Sequence, residues 1–122
     1  MKRQQEPMHL IQYHEKLKSL GCVICQTQTT LCLHHVLGGS VARVGIDKGL
    51  ALKVSDWLVL PLCLNHHVGN EGIHQIGVLT WENKFGSQLH YLKTIGNIFE
   101  LNLFELAGYS YDSKLDRYYK NH

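Results

Sequence analysis

The sequence predicts a small α+β protein of a single domain, fastened by a bound zinc ion. Three observations predict it. Short apolar runs of strand length alternate with segments whose apolar residues recur every three or four positions. Four Cys and nine His crowd a chain of 122 residues, and several stand at ligand spacing. Hydrophobic residues make up 44% and charged ones 18%, which supplies one modest core and excludes disorder throughout.

The elements follow in order. Residues 1–8 read as a tail that ends near Pro7. Over residues 9–20, Leu10, Tyr13, Leu17 and Leu20 form one stripe with Lys16 and Lys18 outside it, which predicts an amphipathic helix stopped by Gly21. Gly21-Cys22-Val23-Ile24-Cys25 is a knuckle, followed by a polar turn over 26–29. Residues 30–33 predict a short strand that delivers His34 and His35 at its end. Residues 38–53 hold four glycines and the cations Arg43, Lys48 and Lys53, so they read as a flexible basic loop. Leu58-Val59-Leu60 predicts a second strand ended by Pro61, and residues 62–67 a helical or knuckle-like segment. Gly69-Asn70-Glu71-Gly72 interrupts it before His74. Trp81, Phe85, Leu89, Leu92 and Ile95 mark a further helical face, with Gly86 its weak point. The domain is expected over 9–96. Residues 97–122 form an extension, helical at first without a clean period and ending in a polar, aromatic stretch expected to be disordered.

Several classes are excluded. No apolar run approaches the roughly 18–20 residues of a membrane span. The basic start has no apolar segment behind it, so a cytoplasmic location is expected. There is no His-Glu-x-x-His, no deaminase pairing of His-x-Glu with Pro-Cys-x-x-Cys, no Gly-x-Ser-x-Gly and no phosphate-binding Gly-x-x-x-x-Gly-Lys. A net charge of +2 points only weakly to nucleic acid.

Two constellations carry chemistry. Cys22-x-x-Cys25 and Cys63-x-x-His66 are knuckles that can each wrap one side of a tetrahedral zinc ion. A reducing compartment favours this over disulfides. Cys32, inside an apolar strand, reads as an inert buried thiol. The second constellation is His34-His35 with His67 and His74. Adjacent residues on a strand face opposite ways, so one His can hold a metal while the other, supported by a hydrogen bond, acts as a base. His67 follows the zinc ligand directly and so aims at a different centre. The pattern is one closed structural site and one open catalytic site. Arg43, Lys48 and Lys53 are candidates for tracking a nucleic-acid backbone. Tyr118, Tyr119 and Lys120 could add stacking on single strands.

The order Cys22-x-x-Cys25, His34-His35-Val36, a glycine-rich loop, Ser55-Asp56-Trp57, Pro61-Leu62-Cys63, His66-His67, Gly72-Ile73-His74 and Trp81-Glu82-x-x-Phe85-Gly86 resembles the HNH endonucleases of the ββα-metal class. Within them it is most similar to the phage recombination-enhancement nucleases called Ref, whose cleavage depends on RecA filaments. The resemblance spans about Leu17 to Leu92. It implies a two-stranded ribbon followed by a helix, with Mg²⁺ or Mn²⁺ between them. It implies that His35 activates water, that His34 and His67 hold or flank the ion, and that His74 is a ligand or a phosphate contact. Many HNH enzymes carry an Asn five residues before the second-knuckle Cys; here that position is Leu58. Asp56 is nearby, either as the group that orients His35 or as an ordinary cap or turn residue. The expected function is metal-dependent hydrolysis of DNA in recombination or phage DNA metabolism, with DNA and, by analogy, RecA filaments as partners. The alternative is a non-catalytic zinc module that binds nucleic acid or protein.

Overall fold

Helix α1 (Leu10–Leu20) buries Tyr13 and Leu17 and ends at Gly21. The stripe at three- and four-residue spacing is therefore its inner face, although Leu20 at its end stays exposed. This computed structural model describes residues 8–47 and 53–121.

Strands β1 (Leu31–His35) and β2 (Val59–Cys63) pair antiparallel, with Leu31 opposite Cys63 and His35 opposite Val59. All five residues of β2 are buried, because both α1 and the later helix α6 (Gln88–Phe99) pack against it. Fully enclosed Leu60 and Leu62 lie at the centre, and truncating either to Ala should cost roughly 2–5 kcal/mol. Pro61 does not end the strand; it sits in the middle of β2, opposite Leu33. Its carbonyl turns away from β1 to accept the Val23 N–H at 3.0 Å. The missing proline donor therefore falls on the outer edge, where the ladder needs none.

Between the strands, the expected basic loop contains a short helix, α2 (Gly39–Arg43). Val41 and Ile46 bury there as apolar anchors. After β2 come α3 (Leu64–His67), α4 (Ile73–Ile76) and α5 (Val78–Phe85). The single helical face read from Trp81 to Ile95 is two helices, α5 and α6. Gly86 adopts φ +111° between them, a conformation open to glycine and costly for other residues. Ser87 then caps α6 by accepting the His90 N–H. Trp81 is fully enclosed and donates its indole N–H to the His66 carbonyl, which fixes α5 to α3.

Helix α6 runs across residue 97, and α7 (Leu103–Leu106) follows it. The final stretch is ordered as a hairpin, β3 (Tyr109–Asp112) and β4 (Arg117–Lys120), contrary to the expected disorder. Asp112 accepts the Lys114 and Leu115 N–H groups in the turn, and Tyr118 stacks on Phe104 at 4.5 Å. The Tyr118 N–H also bonds the Val44 carbonyl, tying the hairpin to the loop after α2. Local turn chemistry and aromatic packing together order a segment whose composition alone is polar. No helix is long and apolar enough to cross a membrane among the described residues.

Candidate functional site

The two knuckles meet at one point. Cys22, Cys25, Cys63 and His66 bring their donor atoms together as a possible metal site. Cys25 Sγ and Cys63 Sγ are 3.7 Å apart; His66 Nδ1 lies 3.2 Å from Cys63 Sγ and 3.8 Å from Cys22 Sγ. A tetrahedron with metal–sulfur bonds of about 2.3 Å has edges of roughly 3.7 Å, so these spacings fit a shared zinc ion better than hydrogen bonds between thiols. The Ile24 N–H points at Cys22 Sγ, and the Thr27 N–H beside Cys25 lowers the Cys25 thiol pKa, which favours thiolate there. Burial pushes the Cys63 thiol the other way. None of the four cysteines is in a disulfide. Cys32 is exposed rather than buried, because the elements that cover His34 on the same face stop short of it.

A second cluster forms from three elements. His34 comes from β1, His67 from the end of α3 and His74 from α4. Their ring centroids lie 4.7–5.3 Å apart, and one nitrogen of each falls within 4.8 Å of the others. Gly72 makes the return possible: a Cβ there would lie 2.6 Å from the His67 carbonyl group, so the turn that folds α4 back onto α3 admits no side chain. Burial lowers the His34 pKa to about 4, with the neighbouring imidazoles adding to the effect, and burial lowers that of His67 too. Both therefore present neutral imidazoles near pH 7. Three nitrogen donors with no carboxylate suit a transition ion more than Mg²⁺, whose preference is for oxygen. Three donors also leave positions open, whereas four close the first cluster.

His35, next along β1, stays outside that cluster. Its Nε2–H donates to Asp56 Oδ1 at 2.7 Å. That bond is the main reason the Asp56 carboxyl is held below its usual range, with Lys53 at 3.4 Å adding to it. Since Nε2 carries the proton, Nδ1 keeps the lone pair. His14 on α1 donates to the Asp56 backbone carbonyl at 2.7 Å and so fixes the turn that presents Asp56. Sequence reasoning does not find His14, because a single His on a helix carries no signal of such a role.

His34, His35, His67, His74 and Lys53 all line one cavity of about 290 Å³. Arg43 does not line it; it is largely exposed on α2, with Glu82 at 3.8 Å. Lys48 lies outside the described residues. Gln88 carries no sequence signal either, and Glu82 stands out only as part of a motif. Gln88 accepts from His34, and buried Glu82 accepts from Ser40 and from the Gln88 backbone.

Fold and site thus define a small α+β protein with one candidate Cys₃His metal centre and one three-histidine cluster. A family model described as protein of unknown function, DUF968, matches residues 1–100, and the chain belongs to that family. No curated protein and no solved structure matches it.

Proposed function

We propose that the protein is a metal-dependent endonuclease that hydrolyses phosphodiester bonds in DNA. The observation that carries this reading is that His35, held by Asp56, lines the same cavity as the three-histidine cluster. A lone zinc-binding module would need only the first cluster. The order β1–β2–α3, with His34 on the ribbon and His67 on the helix, agrees with the ββα-metal resemblance.

In this reading the Cys₃His centre is structural and holds Zn²⁺. His34, His67 and His74 would hold a divalent ion, which when bound would supply positive charge near the scissile phosphate and the leaving 3′ oxygen. His35 accepts a proton from water at Nδ1, and the water oxygen attacks phosphorus as the bond to the 3′ oxygen breaks. Asp56, ionised, holds the His35 ring by its other nitrogen and stabilises the imidazolium that results. Lys53 at the cavity lip meets the backbone phosphates, giving affinity that is salt-dependent and blind to sequence. RecA filaments on single-stranded DNA would supply the targeting that so small a domain lacks.

The test is cleavage of plasmid and single-stranded DNA by the purified chain with Mg²⁺, Mn²⁺ or Zn²⁺, with and without RecA filaments, beside His35→Ala. Cleavage that disappears in the variant supports the reading. No cleavage under any condition by a zinc-loaded chain would favour the interaction module.

A further inference from the structure

We propose that Gln88 is a positioning residue that sets the tautomer of His34 and so aims its Nδ1 lone pair at the second metal site. The proposal rests on reading His34 as a ligand there. Gln88 is fully buried at the start of α6. Its side-chain amide pairs with the Leu37 peptide by two bonds: Nε2 donates to the Leu37 carbonyl at 2.8 Å, and Oε1 accepts the Leu37 N–H at 3.1 Å. A flipped amide would set donor against donor and acceptor against acceptor, so the orientation is fixed. The same Oε1 lies 3.2 Å from His34 Nε2. An amide oxygen only accepts, so Nε2 must carry the His34 proton. A neutral imidazole has one lone pair, and it is then on Nδ1, the nitrogen that the Gln88 contact leaves available to a metal.

The anchor behind Gln88 is firm. Its backbone N–H donates to Glu82 Oε2 at 2.8 Å, and Glu82 in turn accepts the Ser40 N–H and hydroxyl. The Ser40 hydroxyl also accepts the Leu89 N–H at 3.2 Å. Helices α2, α5 and α6 therefore converge on one buried carboxylate that fixes where the Gln88 side chain begins. A partner that orients a metal-binding His through its far nitrogen is worth about 10–100-fold in metal affinity.

The experiment uses the full chain, labelled with ¹⁵N-histidine and carrying zinc in the Cys₃His centre only. Long-range ¹H–¹⁵N spectra report the His34 tautomer, and Co²⁺ titration, followed by visible absorption without thiolate charge transfer, reports the second site. The wild type should show Nε2-protonated His34. Gln88→Met should show mixed tautomers and bind Co²⁺ about 10–100-fold more weakly. Gln88→Glu, protonated in this fully buried position, keeps an oxygen toward His34 and a donor toward the Leu37 carbonyl and should restore the tautomer. An Nδ1-protonated wild-type His34 would overturn the proposal even if Gln88→Met did not fold. So would a folded Gln88→Met with unchanged tautomer and affinity. An Nε2-protonated His34 in a wild-type chain that binds no Co²⁺ would support the tautomer assignment and overturn the ligand reading beneath it.

Discussion

The two histidine-bearing clusters stand at opposite ends of the same ribbon and are built in opposite ways. Cys22, Cys25, Cys63 and His66 come as two i,i+3 pairs, each held within one knuckle. His34, His67 and His74 come singly from three elements and meet only through the packing of β1, α3 and α4. The first set offers three cysteine sulfurs and an imidazole, enough donors to complete a tetrahedron; the second offers imidazoles alone and an open side. In the proposed reading, local spacing makes a site that holds the fold together, and assembly from distant elements makes one that the fold must hold, with Gln88 and the Glu82 anchor as the means.

The largest expected effect separates the two clusters by stability. Binding of structural zinc is worth about 10–16 kcal/mol in small peptides, as much as a whole domain's stability. Cys63→Ser should therefore abolish the cooperative thermal transition, whereas His67→Ala should keep it. Survival of a native-like transition in Cys63→Ser would remove the structural role assigned to the first centre.

The next effect separates them by activity. His35→Ala should lower DNA cleavage by about 10²–10⁴-fold with the unfolding midpoint unchanged. Asp56→Asn should cost less, about 10–100-fold, because it loosens the base without removing it. Kinetics on one plasmid substrate, with thermal melts of each variant, would show whether the ranking holds.

A pH series on the chain with its second site chelated empty sharpens the comparison further. The folded His34 pKa lies at about 4, below an unfolded value of about 6.5. The folded state thus takes up a proton less readily than the unfolded one. His34 contributes its full stability above about pH 6.5, and that stability is lost as pH falls toward 4. The loss amounts to about 3 kcal/mol at most. Denaturant melts from pH 7 to 4 should show it, and His34→Gln should flatten the curve; an equal slope in the variant would count against the burial argument.

The smallest effect is expected at Cys32. Exposed and outside both clusters, it should tolerate Cys32→Ser within about 0.5 kcal/mol, as chemical denaturation would measure.

Legibility in the sequence follows the same division. The Cys₃His set is readable because two intervening residues converge both donors of each knuckle, which leaves only the meeting of the two knuckles to the packing of the chain. Alternation on a strand likewise separates the partners of His34 and His35: His34 joins the three-histidine cluster and His35 bonds Asp56. What is not readable depends on distant packing. Gln88 is 54 positions from the His it touches, and His14 reaches Asp56 across 42. The sequence misleads at Cys32 because an apolar strand implies burial only where something covers it. It misleads at Pro61, which looks like a stop, because the missing donor matters only on the paired edge. The C-terminal hairpin escapes a reading of composition because its order comes from Tyr118 against Phe104 and Val44.

Native mass spectrometry of the zinc-saturated protein decides whether one chain carries two metal centres of different kinds. Two ions are expected per wild-type chain, one in a chain carrying His34→Ala and His67→Ala together, with that last ion retained under mild chelation. A single ion per wild-type chain, unchanged by the double substitution, would contradict a second centre.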